Sequence, residues 1–310
     1  MPRYREDFIL TCSEELILNP KSRNGFALMK LYGYIIEIYL ERKAFETAAE
    51  KLREAEQTAK QFGSSYVYAL YYDMLSDYYD NLLGGAYDAF EPEEKQFLQR
   101  LTNSIDKTIS YSRRTGNPEG KTLLAKNLLA KATVLIRNSP SKKKQIDRLL
   151  DEAQKIVSSE TQPYAEVCGI YYSVCAWYFT LVEPSLNAAE EFMTKAKEIF
   201  TKTAPTDLDE IDCITIPCAD MYCLWGCYAH SAKLLMEAIE ICEKNEPVVP
   251  YIRKKAELYG CLLDVCAEWG KFDLCKAIIG EIDAMNDKYR SLGIHKEISE
   301  DLKKYIGLSE

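Results

Sequence analysis

The chain has 310 residues, 48 of them acidic and 39 basic, for a formal charge of −9. Such a surface repels phosphate backbones, so nucleic acid is excluded as an expected partner. Hydrophobic residues make up 47%, enough for a large core, and a chain of this length either splits into domains or grows by stacking repeats.

The opening stretch, MPRYREDFILTCSEEL, holds no apolar core of signal-peptide length. Residues 4 to 18 predict a short helix that ends at the Asn19-Pro20 break. Residues 25 to 41 place Phe26, Met29, Tyr32, Ile36 and Tyr39 at helical spacing. Residues 45 to 61 follow with Phe45, Ala48, Leu52 and Ala55, and Gly63 suits the C-terminal cap. The helix expected over 65 to 82 is rich in tyrosine, and Tyr68, Tyr72, Leu75 and Tyr79 form one stripe. The loop from Leu83 to Pro92 is the longest interruption, expected to act as a hinge or irregular binding loop. Helices are then expected over 93 to 113, 119 to 138, 142 to 157, 163 to 181 and 185 to 201. Further helices are expected over 209 to 225, 228 to 243, 250 to 268 and 271 to 290. An amphipathic helix over 295 to 306 would cap the last apolar face.

One rhythm recurs along these helices. Phe45, Ala48, Leu52, Ala55 is matched by Leu186, Ala189, Met193, Ala196, by Tyr228, Ser231, Leu235, Ala238 and by Phe272, Cys275, Ile279, Ile282. Steps of three and four keep each set on one helical stripe, where small residues admit a neighbouring helix and large ones fill the groove between. Recurrence at intervals of about one helical hairpin is the signature of a repeat array. No strand pattern or Asn-Gly hairpin competes with it, so the fold class is all-α.

The uncharged run from Val167 to Val182 falls short of the ~20 residues a bilayer span needs, and reads as a helix buried on both sides. The cysteines number 11, all but Cys12 between Cys168 and Cys275. An odd count at helical spacings fits reduced, buried thiols used as small apolar residues. No membrane contact is expected, and the location expected is cytoplasmic.

These hairpins resemble tetratricopeptide repeats, whose second helix carries an A-x3-F core within a helix-turn-helix of about 34 residues. Ala48 to Leu52, Ala189 to Met193 and Ser231 to Leu235 reproduce that spacing, and Tyr39 and Tyr222 stand where the first-helix tyrosine belongs. The family's Leu-Gly pair is not reproduced, and the intervals Ala189–Ser231 and Ser231–Cys275 exceed the family period. Long repeats of this kind look like the sensor arrays of bacterial transcriptional regulators and peptide-pheromone receptors. The resemblance implies one domain over 1–310. It would be a right-handed α-solenoid of about six hairpins with terminal capping helices, whose first helices line a concave peptide-binding groove. It implies no catalysis and no cofactor.

Other constellations have plainer readings. Thr115 to Thr122, TGNPEGKT, imitates a phosphate loop but encloses three residues between its glycines where the motif needs four. Cys213, Cys218, Cys223, Cys227 and His230 crowd one hairpin without a C-x2-C pair, so structural thiols are expected rather than a metal site. His230 and His295, the two histidines, sit in no arrangement suggesting a nucleophile and its base. For binding, the tyrosine stripe offers aromatic rings with polar tips. Helix 119 to 138 offers Asn127, whose amide can bond a peptide backbone, and Lys131, which can meet a carboxylate. The expectation is a non-enzymatic scaffold, a sensor or adaptor, that holds a peptide or partner segment near Tyr68, Tyr72, Tyr79, Asn127 and Lys131. The alternative is an assembly module that dimerises, or a fragment of a larger transcriptional regulator.

Overall fold

The computed structural model describes residues 17, 24–84, 92–158, 165–203, 206–246, 248–290, 298 and 300–307. The helix expected over 4 to 18, Ile17 apart, the interior of the 83–92 loop and residues 295 to 297 lie outside the described residues. Among the described residues every regular element is helical and no strand occurs, so the protein is all-α. None of these helices is long and apolar enough to cross a membrane.

The chain forms two compact units, divided between Val174 and Cys175. The first contains α1 (Gly25–Glu41), α2 (Phe45–Phe62), α3 (Ser65–Leu83), α4 (Pro92–Ser112), α5 (Pro118–Asn138) and α6 (Lys143–Val157). The division falls within α7 (Ala165–Leu181). The second unit contains α8 (Leu186–Thr203), α9 (Asp207–Glu210), α10 (Ile216–Leu224), α11 (Tyr228–Lys244), α12 (Val249–Glu268), α13 (Phe272–Tyr289) and α14 (Glu300–Tyr305).

Three helix starts in the first unit, those of α1, α3 and α5, are fixed by side-chain caps that satisfy otherwise unpaired N–H groups. Asn24 accepts from the Phe26 N–H at 3.1 Å, Ser64 from Val67 at 3.2 Å and Asn117 from Gly120 at 3.0 Å. Pro118 then opens α5, where its missing N–H costs nothing.

The recurring stripe becomes the core. Ala48, Leu52, Ala55 and Ala59 of α2 pack with Met29, Tyr32, Ile36 and Leu40 of α1 and with Val67, Tyr71 and Met74 of α3. In the second unit, Leu235 and Ala238 of α11 and Cys275, Ile279 and Ile282 of α13 join Tyr259, Leu262 and Leu263 of α12. The small position at Ser231 is fully buried and donates its hydroxyl to the Ala219 carbonyl at 2.7 Å. Within the first unit successive helices from α1 to α6 pack together, α1 also touches α3, and α3 also touches α5. In the second unit α10, α11, α12 and α13 pack in succession and α10 also touches α12.

Three hairpin turns share one hydrogen-bond pattern. The residue past the helix adopts positive φ: Lys43 (56°), Gly226 (72°) and Gly270 (71°). Its N–H bonds the carbonyl three residues back, at Leu40, Cys223 and Ala267. The next N–H bonds five residues back, at Tyr39, Tyr222 and Cys266. This is the left-handed cap that satisfies two terminal carbonyls and reverses the chain into the next helix.

The single helix expected over 209 to 225 is instead three pieces, α9, a π-helical turn over Ile211–Thr215, and α10. Pro217 explains the break, because its ring would clash with a carbonyl of a regular preceding turn and it has no N–H to donate.

Candidate binding groove

α3 carries two stripes with different destinations. Tyr68 and Tyr72 both stack on Tyr111 of α4, with ring centroids at 5.1 and 5.7 Å. Lys107 of α4 lies over the Tyr72 ring at 4.7 Å and donates to its hydroxyl at 3.3 Å. Tyr79 stacks on Phe97 at 6.4 Å beneath Arg100. The aromatic stripe is thus the α3–α4 seam, where offset rings gain both apolar burial and quadrupole attraction.

The other stripe, Asp73, Asp77 and Asp80, recurs at steps of four and three and points between α1, α3 and α5. With Gly33, Tyr34, Glu37 and Glu41 of α1 and Lys126 of α5, it lines a cavity of about 480 Å³. Met29, Ile36, Leu40 and Met74 form its apolar floor. A smaller cavity of about 150 Å³ shares Asp77 and Asp80 and is bounded by Leu101, Ile105 and Val134.

Polar contacts tie the groove together. Asn127 is 1% exposed. Its amide donates to Asp73 at 2.7 Å and to the Leu123 carbonyl at 3.1 Å, which uses both of its N–H bonds. Lys126 pairs with the other Asp73 oxygen at 3.7 Å. Asp73 and Asp77 together stabilise the Lys126 ammonium and hold it above the ordinary lysine range, against a smaller opposing effect of burial. Asp77 is exposed to the water of the groove, yet the walls enclose it, and that enclosure pushes its carboxyl up to about 7. The carboxylates of Asp73, Asp80 and Glu37 add to the push, and Lys126 opposes it. Enclosure and water contact coexist because the groove is open on one side, so the direction is upward and water limits its size.

Of the five residues expected to bind, Asn127 reaches the groove through Asp73. Lys131 pairs with Asp106 of α4, and Tyr68, Tyr72 and Tyr79 also face α4, so four of the five meet one helix. Tyr34, Glu37, Glu41, Asp73, Asp77 and Asp80 line the groove and are not among those five. Their signal was present as polar stripes of helical period on the first helices of two consecutive hairpins.

Among the described residues no group of three or more His, Cys, Asp or Glu side chains is arranged to hold a metal. The described cysteines are all free thiols, and burial pushes Cys218 up to about 12. Thiols held protonated in this way are weak nucleophiles and weak ligands. No protein-family model matches the chain, and no curated protein matches it either.

Proposed function

We propose that the chain is a non-enzymatic scaffold, a tetratricopeptide-like right-handed solenoid, that holds a peptide segment of a protein partner in the groove between α1, α3 and α5. The shared turn geometry at Lys43, Gly226 and Gly270, the buried small–large–small stripes and the contacts between alternate helices all favour a repeat array. The observation that carries the binding reading is the groove itself. It has an apolar floor and a polar wall from side chains that the core does not use. A sensor or adaptor of the cytoplasm suits such a site, since the described thiols are free.

The test replaces Tyr34 with a photo-crosslinking phenylalanine analogue, in extract of the native cytosol. The exposed Met236 on α11 serves as the control position. A discrete adduct from the Tyr34 position is expected, absent at Met236 and lost when Gly33→Trp fills the groove. No adduct, or the same adduct from both positions, removes the groove as the working site. An adduct of the chain with itself moves the assignment to an assembly module.

A further inference from the structure

The groove lining is unbalanced in charge. Glu37, Glu41, Asp73, Asp77 and Asp80 face it against Lys30 and Lys126. Asp73 is already engaged by Lys126 and Asn127. Neither Glu37 nor Asp77 has a side-chain hydrogen bond or contact ion pair among the described residues, and Asp77 acts on Lys126 only through space, so both carboxyls can still contact an arriving ligand. Tyr34 supplies an independent observation. At 58% exposure it is the most exposed large hydrophobic side chain of the first unit among the described residues, and it lines the same cavity. It shares an α1 face with Glu37 and Glu41, at steps of three and four.

An aromatic face beside unpaired carboxylates, over an apolar floor, matches one side-chain chemistry. A lysine or arginine lays its alkyl stem along apolar surface, offers its cation to a ring face and forms charge-assisted hydrogen bonds to carboxylates. An acidic segment would meet like charge, and a neutral one would leave the carboxylates unpaired as it displaced their water. Resting on the proposed function above, we infer that the groove takes a basic peptide segment, anchored by a lysine or arginine between the Tyr34 ring and the carboxylates of Glu37 and Asp77.

The experiment measures fluorescence anisotropy of two labelled synthetic peptides titrated with the full chain. Both carry the same leucines, one with lysines between them and the other with glutamates. The lysine peptide should bind and the glutamate peptide should not. Asp77→Asn and Tyr34→Ser should each weaken the lysine peptide by about five- to tenfold, while Glu240→Gln on α11 leaves it unchanged. No binding of the lysine peptide, equal binding of both, or an affinity indifferent to Asp77→Asn overturns the inference. Spermine binding as tightly as the peptide, without dependence on Tyr34, overturns the peptide as occupant. Groove crosslinking from Tyr34 is blind to the partner's charge. An acidic partner crosslinked there would sink this inference alone, whereas an absent adduct would sink the binding reading as well.

Discussion

Glu246 accepts hydrogen bonds from Tyr289 at 2.7 Å, Lys288 at 3.0 Å and Lys255 at 3.1 Å. Partial burial works against its charge, but these three donors outweigh it and hold the carboxyl down at about 2. A carboxyl depressed in the folded state stabilises fully above its unfolded value of 4.5, and that contribution is lost as the pH falls towards 2. Glu246→Gln should therefore cost about 1 kcal/mol near neutral pH in denaturant titrations, a modest figure because water screens the cluster. Its gap to the parent should close below about pH 4, and a gap that stays constant would mean the loss is one of packing. Asp77 has the opposite sign. Its raised carboxyl imposes no penalty below the unfolded value of 3.8 and a growing one as the pH climbs through about 7. Asp77→Asn should stabilise the fold by roughly 0.5–1 kcal/mol at about pH 8, and not at about pH 4, while it weakens the lysine peptide. The parent's own peptide affinity should rise over the same pH window in which Asp77 ionises against Asp73, Asp80, Glu37 and Lys126. A variant that loses stability at about pH 8 would make Asp77 a structural residue. This site was only half legible in the sequence. Aromatics draw attention because they are rare and large, and here they are spent on the α3–α4 seam. The acidic stripe is chemically ordinary, and only the side-by-side placement of α1 and α3 gives it a cavity.

Hairpin turns make the sharpest test of the elements. Gly226 and Gly270 sit at positive φ with nothing within 4 Å of an added Cβ, so only the backbone conformation resists a side chain there. Lys43 occupies the equivalent position in the first hairpin at φ 56°. An L-residue in this region costs about 1–2 kcal/mol, and glycine gives back roughly 0.5–1 kcal/mol in unfolded-chain entropy. Lys43→Gly should therefore gain about 0.5 kcal/mol and Gly270→Ala should lose about 1 kcal/mol in chemical denaturation. Effects of the reverse sign would deny that the turns are equivalent. Close helix approach is tested at Ser231, where Ser231→Ala removes one hydrogen bond for about 1 kcal/mol. Ser231→Leu should cost about 3 kcal/mol or more, because a fully buried position has no room for the added volume. These elements were well marked in the sequence. Each four-residue rhythm set its inner small and large positions into the core, and Trp225-Gly226 and Gly270 marked real turns. The exceptions have local causes. Pro217 splits one expected helix, and Lys43 takes the left-handed position of an expected turn without the glycine found at the other two.

Over the molecule as a whole, the spectroscopic and chemical reporters are unevenly placed. All three tryptophans, Trp177, Trp225 and Trp269, belong to the second unit, as do all the described cysteines except Cys168. Cys175, Cys242, Cys266 and Cys275 are buried, and burial raises Cys242 and Cys266 to about 11. The thiolate is the species that reacts, so at neutral pH Cys242, Cys266 and Cys275 are held back twice, by access and by protonation, and Cys175 is held back by access. In native protein the aromatic disulfide reagent that reports free thiols should leave these four untouched over the period in which partly exposed thiols such as Cys227 react. In a denaturant titration the exposure of Cys242, Cys266 and Cys275 should track the Trp269 part of the tryptophan emission shift, because these thiols and Trp269 belong to the same helical packing around α11, α12 and α13. Thiols that react ahead of the emission change would show a local opening that bypasses the core. A shortfall of reactive thiols in unfolded, unreduced protein would show disulfides, and with them an oxidising compartment in place of the reducing one proposed above.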